Sequence, residues 1–249
     1  MQVFIHDTVA EMAVKVAETG ASVIRDAVRA KGEATIILAT GASQIEMLDQ
    51  LIGQADIDWS AVTIFHLDEY CGIDRDHPAS FRRYMRERVA EKLPNLKRFV
   101  WIEGDAADIG AEIARLNSEI AARPVDIAFI GIGENGHLAF NEPPANFEAE
   151  SPYLIVELDE TSRRQQVGEG WFSSLDTVPL TAISMSLRQI LKSARLMVTV
   201  PDERKAAAVR AALEGAIDRA CPASILRTHP RVEVHLDKPA ASQLVYFSA

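Results

Sequence analysis

The stretch VDIAFIGIGENGHLAFNEPP, residues 125–144, carries the densest pattern in the chain. It begins with an apolar run rich in Val and Ile, which is typical of a strand buried on both faces of a parallel sheet. A glycine-rich loop with one histidine follows the strand. In parallel sheets with helices on both faces, ligands bind at the carboxyl ends of the strands, so this loop is a candidate functional site.

Similar strand patterns recur along the chain and alternate with helical patterns. The other predicted strands are 34–39, 62–67, 98–103, 152–158, 182–186, 195–200 and 232–236. The predicted helices are 8–30, 43–51, 80–93, 106–122, 202–213 and 223–227. This alternation predicts βαβ units. With no repeat or linker in view, we predict one α/β domain over residues 1–249, with a mostly parallel, doubly wound sheet and helices on both faces.

Composition excludes several classes of protein. A net charge of −10 argues against a nucleic-acid binder, which usually presents a basic face. The first residues do not resemble a signal peptide, and no apolar run reaches membrane-spanning length. Only Cys71 and Cys221 are present, and the six histidines show no metal-ligand spacing. We therefore expect a cytoplasmic protein without a metal centre and without a membrane or nucleic-acid partner.

The loop ATGASQ, residues 39–44, joins the first of these predicted strands to a helix. Such a turn exposes backbone N–H groups that favour a phosphate, so Thr40, Gly41, Ala42 and Ser43 are candidate phosphate ligands. An ordinary turn with Ser43 as a helix cap explains the motif equally well.

Three cations are further phosphate-binding candidates: Arg163 and Arg164 in TSRRQQVGEGWF, and Lys205 in PDERKAAAVRAALEG. Lys205 lies near a predicted helix N-terminus, where the helix dipole favours anions, so a cation there makes sense beside a bound anion. By itself, an exposed surface lysine is the simpler interpretation.

Asp68 and Glu69 stand where the strand 62–67 ends. Adjacent side chains point to opposite faces of a strand, so one carboxylate is expected to face the crevice as a base and the other to make structural hydrogen bonds. Taken alone, a simple turn-capping role for Asp68 is favoured.

His137 and Glu142 lie on one short loop, where an imidazole and a carboxylate can pair for proton transfer. The segment GIGENG also matches the dinucleotide fingerprint GxGxxG. That fingerprint requires a helix to begin at the glycines, and Pro143 and Pro144 exclude a long helix here.

The chain resembles the glucosamine-6-phosphate deaminase/isomerase family in ATGASQ, LDEYCGIDRDHPASFRRYM, GIGENGHLAFNEP, VPLTAISMSL, PDERKAAAVRAALEG and PASILRTHP. The resemblance implies a modified Rossmann-like fold without a nucleotide, a sugar-phosphate substrate and no cofactor. It implies that Asp68 is the base that moves a proton between carbons 2 and 1. It implies that His137 assists ring opening, that Glu142 orients it, and that Gly41, Ser43, Lys205 and an arginine of the 163–164 pair hold the phosphate.

The chain departs from the family pattern at four places. Asn135 stands where some members have Asp, so it remains among the catalytic-site candidates but cannot act as a base. The loop reads TGASQ where TGxTP is common, and the arginine-containing stretch has different spacing. Residues 147–152, FEAESP, lack the basic residues of allosterically regulated members.

Several alternatives stay open at this point. The related 6-phosphogluconolactonases carry a GHTASLFP-like segment in place of GHLAFNEP, which disfavours a lactonase without excluding it. A deaminase of another hexosamine phosphate, a sugar-phosphate sensor and a nicotinamide dehydrogenase are further alternatives. The sequence does not decide whether the protein forms a homo-oligomer.

Overall fold

The computed structural model describes residues 1–168 and 170–247. The domain predicted over residues 1–249 therefore includes three positions, 169, 248 and 249, that lie outside the described residues. The described residues form ten strands: β1 (Gln2–His6), β2 (Ala34–Leu38), β3 (Val62–His66), β4 (Asp68–Tyr70), β5 (Arg98–Val100), β6 (Ile127–Ile130), β7 (Tyr153–Glu157), β8 (Thr181–Met185), β9 (Leu196–Val200) and β10 (Val232–Asp237). They also form eight α-helices: α1 (Val9–Lys31), α2 (Ile45–Ile52), α3 (Phe81–Arg88), α4 (Ile109–Ala121), α5 (Glu160–Gly168), α6 (Leu187–Ile190), α7 (Ala206–Glu214) and α8 (Lys238–Ala241).

A seven-stranded parallel sheet in the order β1-β10-β9-β6-β2-β3-β5 forms the centre of the molecule. Every residue of β2, β3, β6 and β9 is buried. Alternate residues of these strands enter two different cores: Ile36 packs with α1 and α2, whereas Ile37 packs with α4 and α7. Helices therefore cover both faces of the sheet, and the predicted α/β class is confirmed.

Helix α1 approaches the sheet closely because of one glycine. A Cβ at Gly20 would collide with the ring of Phe129 in β6. Thr8 caps the start of the helix by accepting from the Glu11 amide, and Gly32 ends it with φ of 80°.

A second, three-stranded sheet in the order β4-β8-β7 is antiparallel. It contains the predicted strands 152–158 and 182–186, which were expected in the mostly parallel sheet. The burial of β7 alternates after its first residue, which is typical of an antiparallel strand with one face towards solvent. Only Leu67 separates β3 from β4, so the main sheet leads directly into the small one.

The element boundaries differ from the sequence prediction in a few other places. The strands β1 and β4 and the helices α5, α6 and α8 were not predicted. The predicted helix 223–227 is instead a 3-10 helix, Pro222–Thr228. Within residues 1–168 and 170–247, no helix is both long and apolar enough to span a membrane.

Candidate active site

A cavity of about 590 Å³ lies at the carboxyl ends of β2, β3, β6 and β9. Its walls come from the loops that follow these strands, which is where parallel α/β sheets bind ligands. It brings together seven of the predicted site residues: Thr40, Gly41, Ala42, Ser43, Asp68, His137 and Lys205.

The loop after β2 is fixed by the backbone conformation of Gly41 and by hydrogen bonds to its carbonyl. Gly41 has φ of 105°, which a residue with a side chain rarely adopts. Its carbonyl accepts hydrogen bonds from the Tyr84 hydroxyl at 2.9 Å and from the Gln44 backbone N–H at 3.1 Å. Residues 42–44 then form a 3-10 turn that leads into α2.

Lys205 reaches the same cavity from the loop after β9. Only 8% of the residue is exposed, although lysine is usually a surface residue. Asp202 shapes this loop: its carboxylate accepts from the Arg204 N–H, and its carbonyl accepts from the Lys205 N–H at 3.0 Å. The loop therefore places a lysine in the wall of the same cavity that residues 41–43 line.

Asp68 and Glu69 have different surroundings. Asp68 lines the cavity, whereas Glu69 does not and is fully buried. The Glu69 carboxylate accepts from the Ser80 hydroxyl at 2.7 Å and from the Arg82 N–H at 2.8 Å at the start of α3. Glu69 thus satisfies backbone donors that a helix N-terminus leaves unpaired.

Burial raises the pKa of Asp68 to about 8, and the neighbouring charge of Glu69 adds to the rise. A hydrogen bond from the Thr40 side chain opposes this change in pKa. Oδ1 of Asp68 is inaccessible to solvent and meets no donor among the described residues. A carboxyl whose pKa lies near neutrality is suited to proton transfer.

His137 is positioned by its own loop. Gly133 makes room for the imidazole, because a Cβ at that position would collide with the ring. Nδ1 of His137 lies 3.5 Å from Oε1 of Glu142, which is long for a hydrogen bond but within ion-pair distance. Pairing with the carboxylate through Nδ1 leaves Nε2 as the ring nitrogen for exchange with a ligand.

Glu142 and Asn135 lie behind His137, outside the cavity lining. Glu142 accepts a hydrogen bond from Asn135 Nδ2 at 2.6 Å and another from the Ser162 hydroxyl. Asn135 Oδ1 in turn accepts from the backbone N–H of His137 at 3.1 Å. Burial raises the pKa of Glu142, but the nearby His137 imidazole and the hydrogen bonds from Ser162 and Asn135 outweigh it, so the pKa is lowered and the carboxylate stays ionised.

Arg163 and Arg164 do not reach the cavity, which corrects the expectation that one of them completes the phosphate cradle. Arg163 Nη2 donates to the carbonyls of Leu175 and Val178, and Arg164 forms an exposed ion pair with Glu160. Both guanidinium groups therefore bind acceptors within residues 160–178 and not a ligand in the cavity. The same segment contributes uncharged or aromatic residues to the cavity wall instead: Gln165, Gln166 and Trp171.

Residues 7–235 match the family described as glucosamine-6-phosphate isomerases/6-phosphogluconolactonase. The chain belongs to this family. It is 36% identical over 228 residues to proteins named glucosamine-6-phosphate deaminase from Bacillus thuringiensis (strain Al Hakam) and Bacillus anthracis (strain A0248). These matches cover 92% of this chain and 85% of each relative.

Solved structures of the family share the fold. A monomeric glucosamine-6-phosphate deaminase is 32% identical, with a TM-score of 0.88 over 98% of this chain and 100% of that one. A 6-phosphogluconolactonase from Shewanella baltica OS155 has a TM-score of 0.76 at 23% identity, covering 95% of this chain and 97% of that one. At that identity the second likeness concerns the fold alone.

GIGENG is not followed by a helix in this member of the family. After β6 the chain runs through turns and a short bridge between Leu138 and Asn141, and the next regular element is β7. The geometry therefore lacks the helix N-terminus on which a dinucleotide pyrophosphate would rest.

Sequence reasoning missed several residues that support the site. Tyr84 holds the Gly41 carbonyl from 43 positions away, and Ser162 holds Glu142 from 20 positions away. The Tyr70 hydroxyl donates to Gln166 Oε1 at 2.8 Å and thereby fixes a cavity-lining side chain of α5. No local pattern marks these partners, because each contact depends on tertiary packing.

Proposed function

We propose that this protein is a glucosamine-6-phosphate deaminase, which converts glucosamine-6-phosphate and water to fructose-6-phosphate and ammonia. One observation carries the proposal: a single cavity combines an anion-binding end with two separate acid/base groups. The anion end consists of residues 41–43 and Lys205, and the acid/base groups are Asp68 and His137. Similarity to proteins of that name supports the same activity.

The phosphate of the substrate serves as a handle at the loop 41–43. Backbone N–H groups and the Ser43 hydroxyl donate to it, and the Lys205 ammonium supplies the opposite charge. Binding energy at this end orients the reacting carbons against Asp68 and His137. Thr40 lies between the two ends and hydrogen-bonds with Asp68.

His137 opens the sugar ring in this scheme by exchanging a proton with the ring oxygen through Nε2. Glu142 remains ionised behind Nδ1 and orients the imidazole so that Nε2 faces the substrate. Asn135 and Ser162 hold Glu142 in place, so Asn135 acts as a positioning residue and transfers no proton.

Asp68 then removes the proton from carbon 2 of the open-chain sugar and delivers it to carbon 1. The double bond moves from between carbon 1 and oxygen to between carbon 2 and nitrogen. The carbon-1 oxygen gains a proton and the nitrogen loses one, which leaves a hydroxyl at carbon 1 and an imine at carbon 2. Water adds to carbon 2, and the nitrogen leaves as ammonia, so that a ketone remains. Protons and one water molecule move but no hydride does, so the scheme needs no nicotinamide or flavin.

A lactonase activity is the nearest alternative, since the family contains both enzymes. Lactone hydrolysis involves no transfer of a proton between neighbouring carbons. The network of Glu142 with His137, Asn135 and Ser162 supports ring opening and favours the deaminase. We also propose that the protein is a single domain and that it works in the cytoplasm. Its two cysteines are free thiols, which suits a reducing compartment.

The test is to measure ammonia and ketose phosphate formed from glucosamine-6-phosphate and galactosamine-6-phosphate, with hydrolysis of 6-phosphogluconolactone followed in parallel. We expect ammonia and fructose-6-phosphate in equal amounts from the glucosamine compound, and lactone hydrolysis at no more than a background rate. Faster hydrolysis of the lactone would refute the proposal. Faster release of ammonia from the galactosamine compound would refute the choice of substrate.

A further inference from the structure

The side chain of Gln44 lies directly behind the loop 41–43 and is fully buried. Its amide nitrogen, Nε2, is 3.2 Å from the backbone carbonyl of Thr199 in β9 and 3.2 Å from Oγ of Ser43. Gly131 borders the same space, where a Cβ would lie 3.0 Å from Nε2. Gln44 therefore connects the loop after β2 with β9, behind the part of the cavity wall that Ser43 and Gly131 form.

The direction of these hydrogen bonds is determined by chemistry. A backbone carbonyl only accepts, so the atom that faces Thr199 is the amide nitrogen. The nitrogen carries two hydrogens and has no acceptor capacity, so the second hydrogen points to Ser43 Oγ. The Ser43 oxygen thus accepts from Gln44, and its own hydrogen must point elsewhere.

Ser43 lines the cavity, and its hydroxyl donates to no group among residues 1–168 and 170–247. The peptide bond between Gly41 and Ala42 likewise directs its acceptor away from the cavity and its donor the opposite way. The Gly41 carbonyl is occupied by Tyr84 and by the Gln44 backbone, and in a trans peptide the Ala42 N–H points the opposite way. The loop turns its acceptors towards the protein and keeps donors for a ligand.

Stability does not explain why Gln44 is buried here. Its Oε1 is inaccessible to solvent and meets no donor among the described residues. A buried acceptor without a partner is unfavourable for folding, and such groups in native proteins call for another explanation. Orientation of the Ser43 hydroxyl is an explanation that uses both hydrogens of the amide.

We propose that Gln44 is a positioning residue that fixes the Ser43 hydroxyl as a hydrogen-bond donor to the substrate phosphate. The proposal rests on the proposed function, because it takes the phosphate to bind at the loop 41–43. It assigns to Gln44 no contact with the substrate.

Binding of inorganic phosphate to the whole protein, measured by titration calorimetry, tests this role without turnover. Gln44→Leu removes the amide, so the Ser43 hydroxyl loses its fixed direction, and we expect the Kd to rise about three- to tenfold. Gln44→Glu is similar in size, but its carboxylate accepts the Ser43 proton, so we expect a larger rise of about tenfold or more. Gln50→Leu on the exposed side of α2 is the matched control and should leave the Kd unchanged.

A double-mutant cycle with Ser43→Ala separates positioning from a general structural effect. If Gln44 acts through Ser43, adding Gln44→Leu to Ser43→Ala weakens phosphate binding no further. In turnover assays Gln44→Leu should raise KM and leave kcat within about twofold of wild type. In denaturant unfolding, the same variant should have a free energy of unfolding no lower than that of wild type. The proposal would be overturned if Gln44→Leu weakened phosphate binding equally in the wild-type and Ser43→Ala proteins, or if it weakened binding in neither. The calorimetric cycle decides this whether or not ammonia is released, so failure of the proposed function is recognised separately.

Discussion

Replacing Asp68 with asparagine should inactivate the protein and also stabilise it. Asp68 is buried at the end of β3, where burial and the charge of Glu69 raise its pKa to about 8. Keeping this carboxyl ionised therefore costs folding free energy. Asparagine keeps the size and the hydrogen-bonding oxygen but carries no charge, so it removes that cost together with the base.

The size of the effect follows from the difference in pKa between the folded and unfolded states. The pKa rises from 3.8 to about 8, and each unit corresponds to about 1.4 kcal/mol, so the upper bound is about 5–6 kcal/mol. Because the folded state holds the Asp68 proton more tightly, the contribution of Asp68 to wild-type stability is fully present below about pH 4. This contribution is lost progressively between about pH 4 and pH 8 and changes no further above that range.

Denaturant unfolding of wild type and Asp68→Asn at several pH values measures this difference. We expect nearly equal free energies of unfolding near pH 4 and a variant more stable by several kcal/mol at pH 8. Asp56→Asn, at an exposed carboxylate, is the matched control and should show no such dependence on pH. A variant that is less stable than wild type at pH 8 would refute the assigned cost of ionisation.

Kinetics of the same variant test the role of Asp68 as the base. Loss of a general base typically lowers kcat by about 10²–10⁴-fold, whereas binding of the phosphorylated sugar should change little. In wild type, about a tenth of the molecules carry ionised Asp68 at pH 7 and about half at pH 8, so kcat/KM should rise about fivefold between them. Turnover of Asp68→Asn within tenfold of wild type would show that another group is the base.

Two further predictions concern anions at and away from the cavity. Lys205→Ala should weaken competition by inorganic phosphate about tenfold or more, because a charge-assisted hydrogen bond contributes about 1.5–3 kcal/mol. Lys192→Ala, at an exposed lysine, is the control, and equal inhibition of both variants by phosphate would mean that Lys205 does not bind it. N-acetylglucosamine-6-phosphate should not activate the protein, and initial rates should be hyperbolic in substrate, because residues 147–152 offer no cation for a second phosphate and Glu148 and Glu150 offset the charge of nearby Arg188 at 3.5 and 3.3 Å. A sigmoidal rate curve that the acetylated sugar makes hyperbolic would contradict this prediction.

Local patterns were sufficient to predict much of the protein. Apolar runs rich in Val and Ile marked most strands of the central sheet, and their alternation with helices indicated the α/β class. Asp68 and His137 were predictable as site residues because each follows a predicted strand, and the carboxyl ends of parallel strands meet at one edge of the sheet. His137 and Glu142 were predictable as neighbours because only four residues separate them in one loop.

Tertiary structure decided the features that depend on which distant segments pack together. Asp68 and Glu69 are adjacent in sequence, and only the packing of α3 against Glu69 leaves Asp68 to the cavity. Packing also joins Gln44 to Thr199 across 155 positions and turns Arg163 towards the carbonyls of 175 and 178. Sequence periodicity reports which face of an element is buried, but not which partner covers it. The positioning of side chains around the cavity therefore had to come from the folded chain.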